Sequence, residues 1–245
     1  MSDRAHPGAN DPQDDLGPAA MRELAAMPPP APPALSAELE GELAKLSPVP
    51  PRRPLRQLAI LVAVSIVYAS GLLIATSTRG DMLELPMGWL AGTALGWLLG
   101  FFIPCYLALV PRPGAVTPRW RVAAISVAIT SVSFVLYGLA IHPEGTSSRE
   151  AGGAALAQSS CLEVGLATAL VPVVIGALFL RGALPVGSRW IAAALGAGGG
   201  CLGGLVLHLH CDIADGLHVG LVHGGVVIVA ALLSAAIVPR ASEVR

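Results

Sequence analysis

Six stretches of this chain are apolar with almost no interruption: about 58–76, 87–110, 122–141, 162–180, 190–207 and 219–238. Each approaches or exceeds the ~20 residues that a helix needs to cross a hydrocarbon core. Backbone groups in lipid must satisfy one another, so the pattern predicts an all-α membrane protein, a bundle of six transmembrane helices. Ahead of them, residues 1–56 are polar and proline-rich, including Met27–Pro33 and Pro48–Pro51, and bury too little apolar surface to fold alone. This arm is expected to be disordered apart from two short amphipathic patches. The first, 19–27, sets Met21, Leu24 and Met27 on one side. The second, N-capped by Ser36, sets Leu39, Leu43 and Leu46 at helical spacing among Glu38, Glu40 and Glu42. Such patches fold when they dock in a partner's groove. The expected organisation is therefore an arm at 1–56, a six-helix domain at 57–240 and a tail at 241–245.

Charge adds direction to this picture. If the N-terminus is inside, the inner segments carry Arg52, Arg53, Arg56, Arg112, Arg119, Arg121, Arg181, Arg189, Arg240 and Arg245. The outer loops then carry only Arg79 and Arg149, against six acids. That asymmetry predicts cytoplasmic N- and C-termini. The first apolar run begins at Leu58, too late for a secretory signal, which agrees. With 54% hydrophobic residues and a mean hydropathy of +0.68, the lipid bilayer is the expected surrounding. A net charge of −1 offers no cationic face for direct nucleic-acid binding.

Within the fifth stretch, Gly198, Gly200 and Gly203 match G-x-G-x-x-G, but no strand precedes them to build a dinucleotide site. The spacing of Gly196, Gly200 and Gly204 is instead that of close helix packing, and makes this span a candidate slider. Chemistry is concentrated between the last two stretches, where His208, His210, Cys211, Asp212, Asp215, His218 and His223 follow one another. Cys201, His208 and Cys211 fall near one face of the fifth span. In a compact bundle the outer ends of spans four to six gather Cys161, Glu163, His208, Cys211, His218 and His223. An ionisable Glu163 in the first turn of a span calls for a partner, with His208 or His223 as the candidates.

Two chemistries suit this set and compete for the same sulfurs. In an oxidising compartment, Cys161 and Cys211 can form a reversible disulfide. Alternatively, thiolate and imidazole suit a zinc or copper ion, with Cys161, Glu163, His208, His210, Cys211, His218 and His223 as candidate ligands. No motif demands a cofactor. Nothing supplies a nucleophile, base and orienting acid in recognisable order, so the chain is not expected to be an enzyme.

The six spans, the arm ending in Leu46-Ser-Pro-Val-Pro-Pro-Arg-Arg-Pro-Leu-Arg56, Cys161 opening span four, and Leu207-His-Leu-His-Cys211 followed by His218 and His223 resemble the NrsF-like membrane anti-sigma factors. The resemblance implies a bacterial inner-membrane protein that binds an extracytoplasmic-function sigma factor through its arm and withholds it from RNA polymerase. Leu24, Leu39, Leu43 and Leu46 are the arm's candidate contacts. Redox or metal sensing at Cys161 and Cys211, with His223 carried over as a third position, would release the sigma factor for a stress response. Family members often follow the second cysteine with Pro-Glu, whereas Asp212-Ile213 follows here, so the resemblance does not name the signal. A reading from another class is a metal or small-solute transporter built on His208, Cys211, His218 and Glu163.

Overall fold

A computed structural model describes residues 22–23, 26–28, 36–45, 52–112, 114–140, 159–181 and 188–242. The chain divides into two compact units, Met1–Pro51 and Arg52–Arg245. In the first, helix α1 spans Ala37–Lys45. Ser36 caps it, its Oγ accepting from the Leu39 amide at 3.2 Å, and the Leu39 side chain is exposed. Leu24, Leu46, the Leu43 side chain and the expected disorder of the arm lie outside the described residues.

Among its described residues, the second unit contains six helical segments long and apolar enough to cross a membrane, the make-up of a multi-pass membrane protein. They are α2 (Pro54–Thr76), α3 (Met87–Leu109), α4 (Arg119–Ala140), α5 (Ser159–Leu180), α6 (Ser188–His210) and a composite last span. That last span consists of a short α7 (Gly216–His218), a π-helical turn at Val219–His223 and α8 (Gly224–Ser242). No strand occurs among the described residues. Most helices extend beyond the apolar stretches that predict them. The proline of α2 sits at its first position, where its missing amide is not needed.

Helix α6 is the centre of the bundle, packed against α3, α4, α5 and α8. Every residue from Ile191 to His208 is buried, whereas the outer helices turn side chains such as Val67, Ile74, Ile129 and Leu232 outward. Lipid is as apolar as leucine, so helices gain from association mainly where backbones come close. Glycine makes that approach. An added methyl at Gly200 would lie 2.5 Å from the Val227 Cα, and one at Gly196 2.3 Å from the Ala230 oxygen, both on α8. At Gly203 it would meet the Gly165 oxygen of α5 at 2.3 Å. Gly204, expected in one row with Gly196 and Gly200, faces α3 instead, where the Trp97 ring lies over it. Trp97 in turn stacks on Phe134 of α4 with ring centroids 3.8 Å apart.

The helices alternate in direction, so the bundle has two unlike ends. One holds the start of α5 and the end of α6, and hence both Cys161 and Cys211. At the other, Arg52 donates from its guanidinium to the Phe179 and Arg181 oxygens, and Arg119 to the Leu107 and Ala108 oxygens. The gaps left by Gly196, Gly200 and Gly203 are already filled by a neighbour's backbone, and that of Gly204 by the Trp97 ring. Gly200→Ala should therefore lower the thermal unfolding temperature of the detergent-solubilised protein, at a cost of about 1–3 kcal/mol. Gly92→Ala, whose methyl meets nothing within 4 Å, should be neutral or stabilising. Equal melting temperatures for the two variants would contradict the packing role of Gly200.

Candidate functional site

Cys161 lies in the first turn of α5, and Cys211 follows the last residue of α6, its amide donating to the Leu207 oxygen at 2.8 Å. The Cys161 thiol donates to the Cys211 sulfur at 3.7 Å, no disulfide joins the two, and both are buried. His218 completes a compact group: its Nε2 lies 3.4 Å from the Cys211 sulfur, and the ligand atoms of Cys161, Cys211 and His218 all fall within 4.8 Å of one another. Asp215 sets the histidine's position. Its carboxylate caps α7 by accepting from the amides of Leu217 at 3.0 Å and His218 at 3.2 Å.

The π turn explains how a second histidine joins the first. In a regular α-helix, residues five apart are rotated by about 140° and cannot share a face. Here the Gly224 amide bonds back to the Val219 oxygen, five residues earlier, and the widened turn brings the His218 and His223 rings to 5.1 Å. The turn is held against α4 backbone to backbone, since a methyl on Gly138 would lie 2.5 Å from the Gly220 nitrogen. His223 is 1% exposed, and neither ring nitrogen makes a hydrogen bond.

The remaining candidates lie apart from this group. His208 is buried on the other side of α6, its Nε2 donating to the Leu90 oxygen of α3 at 3.1 Å and its ring edge-on to Trp89. His210 turns to the Ser77 oxygen at 2.7 Å. Glu163 is exposed, and neither histidine proposed as its partner bonds it. Cys201 does not continue a face to Cys211: it sits deep in the bundle, against Gly100 of α3. Geometry thus brings together Cys161, Cys211, His218 and His223, and leaves His208, His210 and Glu163 outside.

A loop arginine closes the end of α6. Arg79 is buried, pairs with both oxygens of Asp81 at 2.6 and 2.8 Å, and donates to the His208 oxygen. Its backbone amide bonds the Leu209 oxygen, so the α2–α3 loop covers the carbonyl end of α6. Arg79 holds the Asp81 carboxyl below its ordinary value of 3.8. The Cys211 thiol is pushed up, first by its hydrogen bond with Cys161 and then by burial, against the opposing pull of His218 and His223. Two sulfurs, a third ligand and an orphaned imidazole fit a soft or borderline ion, and the sulfur pair equally fits a disulfide.

Compared with known protein families, residues 43–242 match NrsF, described as a negative regulator of sigma F. The chain belongs to the NrsF family. The family description makes it a regulator that acts against a sigma factor. The match includes both cysteines, both site histidines and all six spans, and it begins inside α1, so Leu24 and Leu39 precede it while Leu43 and Leu46 fall within it. No curated protein and no solved structure matches the chain.

Sequence reading counted Arg79, Asp81 and Asp215 as outer charges but gave none of them a structural role. The Asp-Gly pair ahead of an apolar run was a legible N-cap signal; the hold of Arg79 on α6 gave none, because the His208 and Leu209 carbonyls that it meets lie far along the chain. Closing the sulfur pair to a bond of about 2.05 Å needs a local shift only. Diamide treatment of the membrane-embedded protein should yield a Cys161–Cys211 linked peptide by mass spectrometry, and its absence would contradict this geometry. Because the Asp81 pKa is lowered, its contribution to the loop clamp is present at neutral pH and lost as pH falls through that lowered value. Amide protection in 77–86, relative to the intrinsic exchange rate at each pH, should fall in acid in the native chain, and Asp81→Asn should remove that dependence.

Proposed function

We propose that this protein is a bacterial inner-membrane anti-sigma factor, not an enzyme. It holds an extracytoplasmic-function sigma factor through its cytoplasmic N-terminal arm, and the Cys161/Cys211/His218/His223 group governs release from the periplasmic side. The observation that carries this reading is the family match, joined to a buried thiol and imidazole group that spanning a membrane does not require. Orientation is supported by the unlike ends of the bundle. Among the described residues, the end opposite the cysteines carries arginines and no acid, whereas Arg79 at the cysteine end is paired with Asp81.

Either of two events changes the group. A disulfide-forming oxidant takes two electrons and two protons from Cys161 and Cys211 as the S–S bond forms. A zinc or copper ion displaces the thiol protons and draws the imidazoles in as further ligands. Both tighten α5, α6 and the last span at one end. The transporter reading loses its ligand set, because His208 and Glu163 stand apart from Cys211 and His218.

The test is capture of the native host's proteins on the full-length chain, followed by mass spectrometry. One sigma factor should be recovered, and deletion of residues 1–47 or the double change Leu39→Asp with Leu43→Asp should abolish its recovery. Diamide or the metal should reduce recovery by the native chain and leave Cys161→Ser unaffected. If no sigma factor is captured by the unmodified chain, the regulatory reading is wrong for this protein.

A further inference from the structure

Helices α5 and α8 both pack on α6 but leave between them an open groove of about 590 Å³. Its walls are aliphatic, with Leu170, Val174 and Leu178 on α5 facing Leu233 and Ile237 on α8, and Ala177 keeps it open. Along α5 the lining runs from Leu166 to Arg181, about 22 Å at the helical rise. That exceeds the depth of one leaflet of a hydrocarbon core ~30 Å thick. Arg181 is the one charged residue lining the groove, and it stands at the groove's end.

The surroundings of Arg181 are cationic. Arg52 occupies the carbonyls at the end of α5 and so brings a second guanidinium to this corner. Arg240 follows Ile237 and Val238 on the opposite wall. Among the described residues of the second unit, this end of the bundle includes no Asp or Glu. A second copy of the chain makes a poor occupant. The only acid within the described spans is Glu163, at the far end, and a parallel copy would add arginines to arginines.

We propose that this groove is a binding site for an anionic phospholipid of the leaflet at the arginine end, with one acyl chain along α5 and α8 and its phosphate on Arg181. The site rests on the membrane reading and is independent of the cysteine group. An apolar tail and a single phosphodiester match the two parts of the groove, aliphatic along its length and cationic at its mouth.

Native mass spectrometry of the full-length chain, exchanged between phosphatidylglycerol and phosphatidylcholine, tests this. The chain should retain phosphatidylglycerol with a preference of roughly fivefold, the worth of one arginine at an anionic surface. Arg181→Gln should erase the preference and Arg181→Lys restore part of it. Ala177→Phe, which fills the groove, should reduce retention of both lipids, while Arg112→Gln, at the same end but outside the groove, should change neither. Equal retention of the two lipids overturns the proposal. So does a preference that survives Arg181→Gln, or a dimer that Ala177→Phe converts to monomer. Alkaline extraction of membranes carrying the native chain distinguishes the premise: release from the membrane would remove the membrane reading itself.

Discussion

The close approach of backbones around α6 is the constraint on which the rest of this bundle depends. A helix surrounded by lipid-like side chains gains little from burying apolar surface, because the alternative environment is equally apolar. What it gains is contact at short range, and α6 obtains this by removing side chains at Gly196, Gly200, Gly203 and Gly204 in three directions. Neighbours fill the space with backbone or with an indole, so the positions of α3, α5 and α8 are all defined against one central rod. The cysteine group inherits that definition. Cys211 stands one residue past α6, Cys161 in the first turn of α5, and Leu207, Val222 and Val226 pack with them in a small apolar cluster.

How far this was legible in the sequence depends on what each feature needs from its neighbours. Six helices are visible because lipid demands a long apolar run for each, whatever surrounds it. Their ends are less visible: α2 begins at Pro54 and α6 continues to His210, since a helix keeps its hydrogen bonds through polar turns that an apolar pattern does not count. The glycine spacing correctly announced close packing but not its partners. Three glycines four apart drift around a helix of 3.6 residues per turn, and Gly204 has turned from α8 towards Trp97.

The candidate site shows the same limit more sharply. Cys161, Cys211 and His218 sit at span ends, where proximity can be reasoned from an antiparallel bundle. His223 cannot be reached that way, because its approach to His218 requires a turn that departs from the regular helical period. His208 went the other way. It lies three residues from Cys211 in sequence, yet Cys211 is past the helix end and turns towards α5 and the last span, while His208 keeps the α6 face that meets Leu90. A face argument holds only while the helix continues.

The same packing bears on the proposed coupling between the cysteines and the opposite end. Coupling needs an element with two arrangements, both compatible with the rest of the fold. Sliding α6, which its glycines suggest at first sight, meets an obstacle in their contacts. Gly200 rests against Val227 backbone and Gly203 against Gly165 backbone, so a shift along the axis would bring Cys201, Leu202 or Leu205 into space that no side chain can vacate. The last span is built differently. Its first turns hold one residue more than an α-helical ladder accommodates, between a cap at Asp215 and the regular helix from Gly224, and that extra residue is stabilised by Gly138 and Gly220 in contact. A π turn can be absorbed or moved along a helix by exchanging hydrogen bonds without breaking the helix. His223 sits on it and His218 immediately precedes it, so any change in how Cys161 and Cys211 engage them bears directly on the register of α8, the helix that runs on to the arginine end.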